Sequence, residues 1–356
     1  MVAVTSGTIG QTQYNTRLVV DHAFRACRLA PQQITSEYIR VATEQLGLML
    51  SAWANTSTPL WCQTKVILPM VQGVYQLNVA NTFPGTVDIL EANLRWGNQF
   101  TGSYTASSGV AANAFDHNPQ TACAQTAPGG NITMQLTAAS AVENVGIMPA
   151  VSGQSWTVSF QYSNDGVAWT TFDTQTIETV AGTFVWFDYQ GLPTATYWRV
   201  QAAPTTTLNV AELYYGNMAI EIPVARINKD DYWNLPNKTF QGRPVQYWCD
   251  RQVAGPVMWL WPCPGAAFVF QQITVLVHRH IMDVGQLYNV LELPQRAFDA
   301  VTWSLGERLR MVIPEVDKQM TADLPAQAKE ARMRFWAEER DNSPIFLQLD
   351  TSPYTA

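Results

Sequence analysis

His278 and His280 flank Arg279 in a β-rich run, so on a strand both imidazoles point to one face, a spacing that can hold a metal ion. No third ligand lies nearby in the sequence, and the two read as a solvent-side or interface pair. A Ser-His-Asp arrangement would have to draw on four His, with no nucleophile-elbow sequence around any Ser. Asp230-Asp231 and Glu338-Glu339 are adjacent pairs, and neighbours on a strand or helix point apart, so neither suits paired acid–base work. Gly129-Gly130 lacks the strand-to-helix setting of a phosphate loop. The five cysteines, Cys27, Cys62, Cys123, Cys249 and Cys263, are odd in number, widely spaced and without a C-x-x-C. They read as buried, reduced thiols rather than a disulfide framework or a zinc knuckle. The expectation from these residues is a protein that is not an enzyme.

The elements that would position any site are set by composition. The chain has 356 residues, enough for two or three domains. It is 47% apolar but only 14% Asp, Glu, Lys and Arg, and its 13 Trp give a lightly charged, aromatic surface that implies partners. A net charge of −7 argues against grip on a phosphate backbone, which depends on clustered Lys and Arg. The N-terminal residues show no export signal, and the longest apolar candidate, 256–270, is broken by Pro262 and Pro264 and is too short to span a bilayer. A soluble, cytosolically made protein with no membrane partner is expected.

Three textures divide the sequence. The first 95 residues predict helices at 15–30 and 35–54, from Val20, Phe24 and Cys27, then Ile39, Ala42, Leu46, Met49 and Trp53 at three- and four-residue spacing. Two β-rich runs, 64–70 and 73–79, then predict a hairpin. Residues 98–216 are rich in Gly, Thr, Ser, Ala and Asn, with short strands and an Asn164-Asp165-Gly166 turn. They hold no Lys and a single Arg, Arg199, against seven acids, a net charge of −6. Helices return at 294–313, opened by Pro294, and at 318–340. The predicted fold class is α+β: a helical bundle with a small antiparallel sheet, built discontinuously from 1–97 and 217–356, plus an all-β jelly-roll sandwich inserted at 98–216. Residues 341–356 are expected to form an extended tail.

Arg226-Ile-Asn-Lys-Asp-Asp-Tyr-Trp-Asn-Leu-Pro-Asn-Lys, Gly242-Arg-Pro-Val-Gln-Tyr-Trp-Cys-Asp-Arg-Gln and Met258-Trp-Leu-Trp-Pro-Cys-Pro follow one another between the helical stretches. This series resembles the head-to-tail adaptor (connector) proteins of short-tailed bacteriophages. The resemblance implies a virion protein at the head-to-tail interface, forming a twelve-fold ring between the portal protein and the tail nozzle or hub, through which DNA passes without specific binding. It also implies that the C-terminal helix and tail reach the portal. Phe335, Trp336, Ile345, Phe346, Leu347 and Leu349 form an apolar strip there, too short to build its own core. Packing back on its own subunit is the other reading of that strip.

Ala112-Asn-Ala-Phe-Asp-His-Asn-Pro-Gln-Thr, Phe160-Gln-Tyr-Ser-Asn-Asp-Gly-Val-Ala-Trp, Tyr197-Trp-Arg-Val and Leu208-Asn-Val-Ala-Glu-Leu-Tyr occur in order through the middle segment. They resemble discoidin (coagulation factor 5/8 type C) domains and related galactose-binding-like sandwiches, although His117 stands where that family often has Gly. Many such relatives carry a structural calcium, and the resemblance implies Asp116, Thr121 and Glu212, with loop carbonyls near Asn118, as its oxygen shell. No other cofactor is expected.

Together the two resemblances imply a structural adaptor ring whose sandwich contacts a tail fibre, tailspike, capsid neighbour or host glycan. The alternatives are a carbohydrate-binding accessory protein and a virion-associated cell-wall hydrolase.

Overall fold

A computed structural model describes residues 15–56, 60–282 and 284–339. Its contacts divide the chain into a helical unit, Met1–Gln63 with Arg279–Ala356, and a β unit, Thr64–His278.

In the helical unit, the Asn15 side chain accepts the Leu18 N–H at 2.8 Å and starts the helix Thr16–Ala26. That helix stops short of the expected residue 30 because Arg28 turns left-handed at φ 56° and Pro31 follows. Ser36–Thr56 is the second helix, and Phe298–Val312 follows a short 3-10 turn at Gln295–Ala297. The last helix is Leu324–Glu338 rather than 318–340. Asp317 delays it by accepting the backbone N–H groups of Gln319 and Met320 at 2.8 and 3.2 Å, an alternative to helical bonding. Phe24, Leu46, Val301, Leu305 and Leu309 are buried in one core drawn from both ends of the sequence. Each such side chain contributes roughly 1.5–3 kcal/mol of burial. Among the described residues no helix is long and apolar enough to cross a membrane.

The β unit is built on a seven-stranded sheet. Its path runs Gln63–Leu68, Gln272–Arg279, Thr86–Gln99, Asn209–Pro223, Asn144–Pro149 and Val185–Asp188, with Cys123–Ala124 also paired to Asn209–Pro223. A five-stranded sheet, Gly102–Ala106, Asn131–Ser140, Ala195–Ala202, Ser155–Ser163 and Thr170–Glu178 in spatial order, packs with it into an antiparallel sandwich. Trp156, Phe160, Trp198, Ile147 and Leu213 fill the space between. A third sheet orders Ala225–Arg226, Gln246–Gln252, Gly255–Trp261 and Gln76–Asn78. The runs 64–70 and 73–79 therefore do not form the expected hairpin. Their strands join different sheets, and Leu68 and Leu77 enter one core from the two sides.

The expected domain edges at 97/98 and 216/217 fall inside two strands. Thr86–Gln99 and Asn209–Pro223 pair with each other from Gln99↔Gly216 to Asn93↔Pro223, so one ladder runs from the sandwich into the flanking sequence. Arg95, 1% exposed, lies on this ladder. Its guanidinium donates to both carboxylate oxygens of Asp188 at 2.9 and 2.7 Å, to Glu221 Oε1 at 2.8 Å and to Gln272 Oε1 at 3.2 Å. A buried charge needs such partners on every side, and they come from both the middle segment and its flanks.

Candidate functional site

The 3-10 turn Ala111–Ala114 delivers Phe115 to the sandwich core and leaves Asp116 at the head of a tight loop. Asp116 Oδ1 accepts the Asn118 N–H at 2.9 Å, and Oδ2 accepts the Thr121 hydroxyl at 2.7 Å. Thr121 also closes on the Asn118 carbonyl, its N–H at 3.0 Å and its hydroxyl oxygen at 2.8 Å. Within the loop His117 is left-handed at φ 58°, the conformation that costs Gly least.

Glu212 comes to the same place from the far end of the segment. It sits in Asn209–Pro223 just after a register shift between Val210 and Glu212 against Asn144–Pro149, and such a bulge re-aims a side chain. The residue is 1% exposed, and neither carboxylate oxygen has a hydrogen-bond partner of ordinary geometry. Burial, and next the neighbouring Asp116 carboxylate, push its carboxyl up to about 8, opposed by the nearby backbone N–H groups of Asn118 and His117. When Glu212 ionises it meets the exposed Asp116 carboxylate as a like charge and is itself held out of water, and both effects are costly. A hard cation removes both penalties. The donor set is all oxygen: two carboxylates, a hydroxyl and loop carbonyls, which fits calcium rather than a soft metal. Among the described residues no group of three His, Cys, Asp or Glu side chains could hold a metal, so neutral oxygens would complete such a shell.

The other expected sites separate. His278 is buried near the end of Gln272–Arg279, while His280 is exposed beyond the strand, so the two do not share a face. Asp230 and Asp231 occupy the first turn of Lys229–Asn234, whose cap Asn228 accepts the Asp231 N–H at 2.8 Å. Carboxylates there favour the helix start. All five cysteines are buried and free. Phe335, 3% exposed, is stacked on Trp53 at 5.8 Å, and Trp336 meets Trp53 edge-on at 5.6 Å. Phe335 is thus held in the core of the helical unit, the packing-back reading of the strip, rather than exposed for a portal. Ile345, Phe346, Leu347 and Leu349 lie outside the described residues.

Two features escaped sequence reasoning. One is the Arg95 network, since a lone Arg after an apolar run carries no pattern. The other is an aromatic cluster on the outer face of the five-stranded sheet, where the Arg199 guanidinium lies 3.8 Å over the Trp169 ring and Tyr197 meets it edge-on at 6.4 Å. Gln161 Oε1 accepts from Arg199 Nε at 2.6 Å and its amide donates to the Thr171 hydroxyl at 2.8 Å.

No protein family matches the chain, and no curated protein sequence matches it. Among the solved structures that match are carbohydrate-binding modules. A pectin-binding module is 20% identical over 34% of this chain and 94% of that one, with a TM-score of 0.31. The family 32 module of AlyQ, solved with 4,5-unsaturated mannuronic acid, is 20% identical over 33% and 97%, with a TM-score of 0.31. The family 32 module of NanJ from Clostridium perfringens, solved with galactose, is 20% identical over 32% and 93%, with a TM-score of 0.29.

Proposed function

We propose that the chain is a carbohydrate-binding protein whose galactose-binding-like sandwich, steadied by calcium at Asp116, Thr121 and Glu212, recognises a glycan. The observation that carries this reading is the approach of buried Glu212, whose carboxyl oxygens lack a hydrogen-bond partner of ordinary geometry, to the exposed loop in which Asp116 and Thr121 are bonded to each other. It is the arrangement the discoidin resemblance implies, and a solitary Asp116 turn would not produce it. Segment chemistry agrees: 98–216 offers amides, hydroxyls and aromatic rings with one cation, already committed to Trp169 and Gln161. Its net charge of −6 favours a neutral glycan over a polyuronate or nucleic acid. Native electrophoresis through gels cast with neutral galactans and glucans, calcium present, tests the reading. Retardation by at least one polysaccharide is expected, and unchanged mobility in all of them overturns it.

A second reading, the adaptor ring, is favoured by the residues that carry that resemblance. Tyr232, Trp233, Trp248 and Trp259 form a continuous aromatic cluster with ring centroids 5.6–6.5 Å apart, and Trp233 and Phe240 are 55% and 54% exposed. Exposed aromatic rings of this kind suit a protein interface. The expected partners are further copies of this chain, a portal and a tail nozzle. Mass photometry with purified portal should then show a portal-bound ring, and portal that binds no copies would remove this reading.

A further inference from the structure

We propose that a cavity beside the His117 loop, walled partly by the segment Ala266–Gln271, is the seat of a single neutral sugar ring. This inference rests on the glycan reading and gives it a location and a ligand class. The cavity holds about 490 Å³, within the range of small-ligand pockets. Its polar lining is the carboxamides of Asn98, Gln99 and Gln271, the His117 imidazole and the Tyr214 phenol, with no Asp, Glu, Lys or Arg. A charged ligand would find no counter-charge there, and a wholly apolar one would bury the amides without partners. Carboxamides offer a donor and an acceptor side by side, the pattern that adjacent hydroxyls satisfy. Phe270 supplies the apolar wall that the C–H face of a pyranose needs, and the His117 ring is stacked on it with centroids 4.6 Å apart.

The walls are pre-set. Gln99 Oε1 lies 2.5 Å from His117 Nε2, and Gln271 Oε1 accepts the Gly97 N–H at 3.1 Å, which leaves the Gln271 NH2 free of any protein partner among the described residues. A side chain fixed at one end and open at the other loses little freedom on binding. Gly97 must stay small, since a Cβ there would come within 2.6 Å of the Tyr214 oxygen. Ala266 and Ala267 are exposed and small, and they keep the mouth open. Because Ala266–Gln271 lies outside 98–216, the site needs the whole β unit and would be missing from an excised sandwich.

Titration calorimetry of the full chain with methyl β-D-galactopyranoside, methyl β-D-glucopyranoside and N-acetylglucosamine tests the proposal, alongside polysaccharide gels run on the same variants. At least one glycoside should bind saturably. Ala267→Trp, which fills the mouth from an exposed position, should weaken it tenfold or more with unchanged melting temperature, and Gln271→Ala, which also gives up the bond to the Gly97 N–H, should weaken it as much, while Trp169→Ala on the outer sheet face binds as wild type. Glycoside binding or gel retardation that persists in A267W overturns the cavity as the site and leaves the glycan reading standing. Failure of all three glycosides to bind wild type overturns the cavity proposal, and loss of gel retardation in wild type overturns the glycan reading with it.

Discussion

Glu212 is the residue on which the most chemistry turns. With chelator present, its carboxyl keeps its proton in the fold up to about pH 8, whereas in the unfolded chain it ionises near 4.5. The unfolded state therefore binds fewer protons through that window, so stability falls as pH rises from about 4.5 to about 8 and levels off above it. Calcium needs the carboxylate, and its stabilisation should grow over the same range. Thermal melts at pH 5 and 8, with excess calcium and with chelator, should show a larger calcium shift at pH 8. Glu212→Gln should abolish that shift and flatten the chelated profile. A melting temperature indifferent to calcium at pH 8 would rule the ion out. Asp116, Thr121 and Glu212 stood out as a candidate ligand set only because a resemblance marked them. Nothing in the local pattern shows that a bulge turns Glu212 inward, and Arg95 carries no local signal because its partners, Asp188, Glu221 and Gln272, are scattered along the chain.

At the scale of elements, amphipathic spacing served well and chain direction served poorly. Helices with strong three-four stripes appear close to their predicted spans, with ends shifted by local bonds such as those of Asp317. The 64–79 stretch misled because two adjacent β-rich runs resemble a hairpin whatever sheet each one joins; pairing is decided by distant strands that sequence spacing does not reveal. The last helix illustrates the other limit. Phe335 sits on an apolar stripe that serves equally for a partner or for the subunit's own core, and Trp53 and Trp61 take it inward. Phe335→Ala should accordingly cost the isolated protein about 3–5 kcal/mol, read as an earlier denaturant midpoint with unchanged slope. A midpoint left in place would return Phe335 to a partner-facing role.

For the β unit as a whole, the sandwich is a continuation of the sheet that carries it. Removing 98–216 and joining the cut ends would end the ladder at its middle and take Asp188 from Arg95, leaving a buried guanidinium with part of its shell, a loss of roughly 3–5 kcal/mol. Such a deletion should give an aggregating or poorly soluble product. Adding Arg95→Met to the same deletion should recover soluble protein, since a side chain of similar volume without charge needs no partners. Equal insolubility of the two products would show that the ladder and its core matter more than the ion pair.

That shared ladder also sets how force would travel. A domain hung on a pair of flexible linkers swings freely and absorbs a pull before its support feels anything. Here the two chain crossings are themselves hydrogen-bonded strands, from Gln99↔Gly216 down to Asn93↔Pro223. A load applied to the sandwich along those strands is met by many backbone bonds in shear at once, so tension at a bound ligand would be felt directly in the sheet beneath it.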